Sequence, residues 1–198
     1  FFNYGLGFEF APGDEQQSYT DTGIRLPINY PMPKPLFENT SRDFATFNTS
    51  IPDQFRIDVF EQELKDKWLS GKEEFPSVIT MMLPNDHGSK ERPDDGYPFW
   101  ASYMEDNDLA LGRLVELISH SPWWKETVIF VTEDDAQGHV DSVDAHRSIC
   151  MTIGPWVKPG YVSHAHASMG SILKSMFLIH GIGPLNQYDG WANDLSDM

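Results

Sequence analysis

The stretch VIFVTEDDAQGHVDSVDAHRSI, residues 128–149, runs from apolar and β-branched residues straight into acids and histidines. Glu133, Asp134, Asp135, Asp141 and Asp144 repel one another there, with His139 and His146 among them. Holding them together takes a compensating cation or a catalytic purpose; the plainer reading is a solvated acidic loop, as charge runs commonly are. A shorter cluster, Asn85, Asp86 and His87, closes SVITMMLPNDHG at 77–88. Asp86, His87, Asp134, Asp135 and His146 make a mixed oxygen and nitrogen ligand set, which suits Zn²⁺, Mn²⁺ or iron better than Ca²⁺ or Mg²⁺. Two divalent ions about 4 Å apart would account for the crowding and could clamp both sides of a phosphoryl displacement. An EF-hand fits poorly: counting from Asp134 puts Ala136 at the third ligand position, and the flank reads as a strand.

The rest of the chain must position these groups. Its 198 residues, 40% hydrophobic and 13% aromatic, supply a core for one domain. A net charge of −16 argues against nucleic acid as a partner, because 14 Lys and Arg against 30 acids supply no basic stripe. Cys150 is the single cysteine, so neither an internal disulfide nor a CxxC metal site exists, and its apolar setting reads as core. No run approaches the roughly 18 apolar residues of a membrane span. The opening FFNYGLGFEF lacks the marks of a signal peptide and reads like the middle of a domain, so a longer parent protein is expected.

Residues 1–52 are punctuated by Gly and Pro and read as an irregular wrapping segment, with PMPKP at 31–35 extended. Regularity begins at Ser50-Ile51-Pro52-Asp53, where a polar cap precedes FRIDVFEQELKDKWLSG and Val59 or Phe60, Leu64 and Trp68 recur at helical spacing until Gly71. An apolar run at 78–83 predicts a strand, and 98–119 a helix with Leu111, Leu114, Val115 and Ile118 on one face. Further strands are expected at 127–132 and 149–153, and a last helix near 168–180 burying Ile172, Leu173, Met176 and Phe177. Alternating strands and helices predict an α/β core over 53–198, a mostly parallel sheet flanked by helices. In such sheets ligands bind beyond the carboxyl ends of strands, where both polar clusters sit, so the two are expected to meet.

LPNDHG, the stretch DNDLALGRLVELISHSPWWKETVIFVTEDDAQ, and VDAHRS followed by GPWVKPG resemble the C-terminal part of the bacterial phosphoesterase family, which includes phospholipase C and acid phosphatase enzymes, within the alkaline phosphatase superfamily. The resemblance spans most of 50–190. It implies a metal-dependent phosphoester hydrolase, periplasmic or extracellular, in which Asp134 and Asp135 look like the ligand pair after the strand, His146 like a third ligand, and Asp86 and His87 like site residues after the preceding strand. Two departures stand out. Ser142 occupies a position where relatives often carry a histidine, and His139 could substitute for it. Residues 1–50 show no strand delivering a Ser or Thr beside an acid, so the nucleophile and one metal carboxylate are expected in an N-terminal remainder of the same protein.

Arg147 could bind a substrate phosphate or pair with the surrounding carboxylates. Asn107, between Asp106 and Asp108 in an otherwise apolar helix, could face the substrate or the solvent. His164 and His166 are further ligand candidates or part of the last helix's approach, His120 and His180 read as helix-end partners, and Trp123 and Trp124 as packing residues. Two functions of different class follow: part of a metal-dependent phosphoesterase acting on a phosphoester substrate, or a noncatalytic module of a cell-surface protein whose degenerate site, marked by Ser142, binds a cation or a sugar.

Overall fold

The computed structural model describes residues 1–7, 33–134 and 147–198. These form a mixed α/β structure dividing into two compact units, Phe1–Ile118 and Ser119–Met198. Among them no helix is long and apolar enough to cross a membrane.

In the first unit, β1 (Phe2–Tyr4) pairs in parallel with β2 (Ile79–Met81), Asn3 facing Thr80. Helix α1 (Lys34–Glu38) begins inside the PMPKP stretch expected to be extended. Pro35 is compatible with a first helical turn, where its missing N–H costs nothing and its fixed φ is already helical.

Helix α2 (Asp53–Glu63) runs on as a π-helical turn, Leu64–Leu69, and stops as expected at Gly71, whose φ of +74° suits glycine. Its beginning differs from expectation. Ser50 does not cap it; the Ser50 hydroxyl accepts instead from Arg92. The first-turn N–H groups of Asp53 and Gln54 donate to the carboxylate of Asp106, at 2.7 and 3.4 Å, in helix α3 (Ala101–Ser119). A negative charge at a helix N-terminus meets both the orphan donors and the positive end of the dipole.

Two devices hold this unit. Tyr4 meets Phe44, Phe60 and Trp68 edge to face, centroids 5.1, 5.2 and 6.5 Å apart, the geometry preferred by ring quadrupoles. Arg56, fully buried, donates to the carbonyls of Ala45, Thr46, Asn48 and Ile51 and to Asp53 Oδ1. The irregular 45–51 segment has few backbone partners of its own, so one guanidinium does for it what a ladder does for a strand.

In the second unit, β3 (Ile129–Thr132) and β4 (Cys150–Ile153) pair antiparallel, Ile129 opposite Ile153 and Thr132 opposite Cys150. This corrects the parallel arrangement expected for these two strands. A parallel return needs a crossover of a dozen or more residues that packs on the sheet, usually a helix, whereas antiparallel strands pair without one. Cys150 is exposed and not core.

Helix α4 (Met169–Ile179) starts from a capping box of Ser168 and Ser171, and α5 (Gln187–Trp191) from one of Asn186 and Asp189. The face α4 buries is Gly170, Ser171, Ile172 and Ser175, while Leu173, expected inside, is 41% exposed. Gly170 lies so close to the Tyr188 ring that a Cβ there would sit 2.9 Å from it, and Ser175 Oγ accepts from the Leu195 N–H at 2.9 Å. Close approach selects small residues on that side and leaves the larger ones outward.

Candidate functional site

The loop after β2 is built with most care. Pro84–His87 form a 3₁₀ turn that ends at Gly88, φ +67°. Trp100 lies against Gly88, where a Cβ would come 2.1 Å from the indole nitrogen, so no other residue fits there without displacing the ring. Asn85 is fully buried, Asp86 half-buried and His87 exposed.

Asn85 is gripped by three elements. Its backbone N–H donates to Asp53 Oδ2 at 3.0 Å. Its side-chain nitrogen donates to Asp106 Oδ2 at 2.6 Å and to the Tyr97 hydroxyl at 3.1 Å, and that hydroxyl donates in turn to Asp106 at 3.0 Å. Asn107 donates to Asp53 Oδ2 at 3.0 Å and to the Leu83 carbonyl at 2.8 Å. Among the described residues Asn85 Oδ1 is buried without a donor. The amide cannot turn over to relieve this, because its oxygen would then face the Asp106 carboxylate.

Burial raises the Asp53 carboxyl to about 6, against the pull of Arg56, Asn107 and the Asn85 N–H and with some help from Asp106. Burial, then the neighbouring Asp106, pushes the Tyr97 hydroxyl up as well, keeping it a neutral donor.

His87 is oriented more simply. Its Nδ1 lies 3.0 Å from the Gly88 carbonyl oxygen, and its ring stands perpendicular to Phe47 with centroids 5.3 Å apart. A carbonyl oxygen only accepts, so Nδ1 donates to it and Nε2 takes no part in this bond. A backbone carbonyl on one ring nitrogen is the arrangement that orients a metal-binding imidazole.

The second cluster is only partly within the described residues. Asp134 and Arg147 are exposed, and Thr132 and Ser148 hydroxyls both donate to the Glu133 carbonyl, at 3.1 and 3.0 Å. Asp135, His139, Asp141, Ser142, Asp144 and His146 lie outside the described residues. Asp86, His87 and Asn107 belong to the first unit, Asp134 and Arg147 to the second. Among the described residues no three His, Cys, Asp or Glu side chains are grouped so as to hold a metal ion. His164 and His166 are exposed; the His166 carbonyl accepts from Asn193.

Asn107 uses its amide nitrogen on Asp53 and on backbone, within the protein. Sequence reasoning missed Asn85, Asp53 and Asp106 as parts of the site. One signal was available: two acids and an amide, Asp106 to Asp108, interrupt a helix that otherwise shows an apolar face. Searches against protein-family models, curated proteins and solved structures find no match for this chain.

Proposed function

We propose that the chain is part of a metal-dependent phosphoester hydrolase, supplying ligands for divalent ions of the Zn²⁺, Mn²⁺ or iron kind. Asp86 and His87 would contribute from the loop after β2, Asp134 from just past the end of β3, Asp135 and His146 from further along the sequence, and Arg147 would neutralise a substrate phosphate. The observation that carries this reading is His87: exposed, its Nδ1–H on the Gly88 carbonyl, its Nε2 outside that bond, next in sequence to the half-buried carboxylate of Asp86. A bound divalent ion would supply charge neutralisation at a phosphoryl oxygen. The protein's part is to hold these donors still and keep the His87 tautomer.

The finer fold belongs to the same proposal: a mostly parallel, alkaline phosphatase-like sheet, completed by an N-terminal remainder that brings the nucleophile. The parallel pair β1 and β2 and the outward apolar residues of α4 support it.

A second reading, a noncatalytic module that binds a sugar, draws on a different place. A shallow basin of about 470 Å³ in the second unit is lined by Trp191, Lys174, Asn193, Asp194 and Asp197, and Trp191 is 83% exposed. An open indole beside carboxylate and amide groups suits the apolar face and hydroxyls of a pyranose.

Two measurements decide. Zn²⁺ or Mn²⁺ at millimolar level should raise the melting temperature of the chain, by mass action on the folded state, and a chelator should reverse it. The chain alone should not hydrolyse p-nitrophenyl phosphate or its bis ester with these metals, and activity should appear when the N-terminal remainder is joined to it. No thermal response to any of these metals would sink the phosphoesterase reading. Turnover by the chain alone that disappears in Ser142→Ala would instead move the nucleophile into residues 135–146.

A further inference from the structure

We propose that Asn85 is a positioning residue for the Asp86 and His87 pair, and that Asp53, Asp106, Asn107 and Tyr97 form the socket that holds it. The inference rests on the reading of Asp86 and His87 as ligands.

The socket draws on parts far apart in sequence: the first turn of α2, the middle of α3 and the turn carrying Tyr97. All converge on the loop of four residues between Leu83 and Gly88. Asn107 fixes the Leu83 carbonyl just before the loop. Asp53, Asp106 and Tyr97 fix Asn85 by backbone and side chain. The Asn85 carbonyl accepts from the Gly88 N–H at 3.0 Å, closing the loop on itself, and Trp100 covers Gly88. The residues between these anchors are Asp86 and His87.

The chemistry of the socket is costly for structure alone. Asp53 and Asn85 are fully buried, and both Asp53 and Asp106 accept from Asn85. Apolar packing of the same volume would hold two helices and a turn together as firmly. A carboxylate and amide network adds direction: it allows Asn85 one orientation and strands its Oδ1 to keep it. Metal ligands need that fixity, because a site loose by about 1 Å loses affinity and geometry together.

The test uses the full chain and two variants, Asn107→Ala, which puts a good helix former into α3, and Tyr97→Phe, which removes one hydroxyl and keeps the ring. Residue-resolved amide exchange, the His87 ring resonance in a ¹H–¹³C spectrum and Zn²⁺ affinity by calorimetry are measured on each. In Asn107→Ala, protection of the Asn85 and Gly88 amides should fall by about tenfold relative to those of Ile57 and Phe60 in α2, since the opening is local. The His87 resonance should move, and Zn²⁺ should bind about tenfold more weakly. Tyr97→Phe should show the same pattern, smaller, and it decides the matter if Asn107→Ala does not fold. Equal loss of protection at all four amides, with His87 and Zn²⁺ affinity unchanged in the folded protein, would mean a purely structural network and overturn the proposal. So would unchanged Zn²⁺ affinity in a loosened loop. No Zn²⁺ binding by the unsubstituted chain, with the loop loosening in the variants as expected, would sink the ligand reading and support the positioning role.

Discussion

The two units use similar residues to opposite ends. The first buries Tyr4, Phe44, Ile51, Ile57, Phe60, Leu64, Trp68 and Tyr103 at 5% exposure or less, and closes its polar groups around Arg56 and Asn85. In the second, the only buried apolar side chains among the described residues are Ile172 and Leu195. Trp156, Val162, Leu178, Ile179, Leu185 and Trp191 are each more than half exposed there. Apolar residues alone do not make a core. They must face a second layer, and the first unit supplies that layer from its own chain. An exposed apolar surface of this kind is open to burial against another surface.

The largest effect that could break this contrast is at Arg56. Replacing it with Met removes the donor to Asp53 Oδ1 and leaves several carbonyls of 45–51 buried without the guanidinium that bonds them. Urea unfolding of the first unit should therefore lose about 3–5 kcal/mol, whereas Trp191→Ala in the second unit should change stability by about 0.5 kcal/mol or less. Comparable losses from both would show the second unit to be as well packed as the first.

Next in size are the two crowded glycines. Gly88→Ala meets both a positive φ and the Trp100 ring and should cost about 1–3 kcal/mol in thermal unfolding. Gly170→Ala has no positive φ to strain and meets the Tyr188 ring, which is 61% exposed and can swing away, with Ala192 Cβ a looser 3.3 Å off, so its cost should be smaller. A larger cost at Gly170 would mean that α4 and α5 form a rigid core.

On α4 itself, Leu178→Lys with Ile179→Lys should leave urea unfolding within about 0.5 kcal/mol of the unsubstituted chain, since surface changes do little. Loss of folding in this variant would mean that the outward face is a buried one.

The smallest effect is one of sign. The Asp53 carboxyl is raised to about 6, so between about 4 and 6 the folded first unit binds more protons than the unfolded chain. Its contribution to stability is full below about pH 4 and is lost as pH rises through 6. In the second unit Asp197, held by the Ser163 hydroxyl, and Asp194, held by Ser196, lie below the ordinary carboxylate range. Their contribution is present above about pH 4 and is lost as pH falls further. Amide exchange at pH 7, 5 and 3.5 should show the α2 amides gaining protection between 7 and 5, and the amides of 194–198 losing it between 5 and 3.5. Parallel behaviour in both units would remove this distinction.

The positions of α2, α3, α4, β2, β3 and β4 were legible in the sequence to within a few residues, because each carries its own period or apolar run and its own stop. Gly71 ends the α2 run and Ser168 starts α4 through local chemistry alone. The place of Asp86 and His87 was legible for the same reason, as a polar end to a short apolar run. What lay beyond reach was every feature that needs a partner distant in the chain. The antiparallel sense of β3 and β4, the inward turn of Gly170 and Ser175 where Leu173 was expected, and the capping of α2 by Asp106 each depend on which surface arrives opposite. Asn85 is the clearest case: in sequence it is one polar residue after a proline, and only the arrival of Asp53, Asp106 and Tyr97 makes it the fixed point of the loop. Residue type and local period determine where an element forms, because backbone hydrogen bonding and side-chain rotamers are satisfied within a few residues. Which face is buried, and which polar group is stranded or held, is decided by packing, since burial is a property of two surfaces and only one of them is written locally.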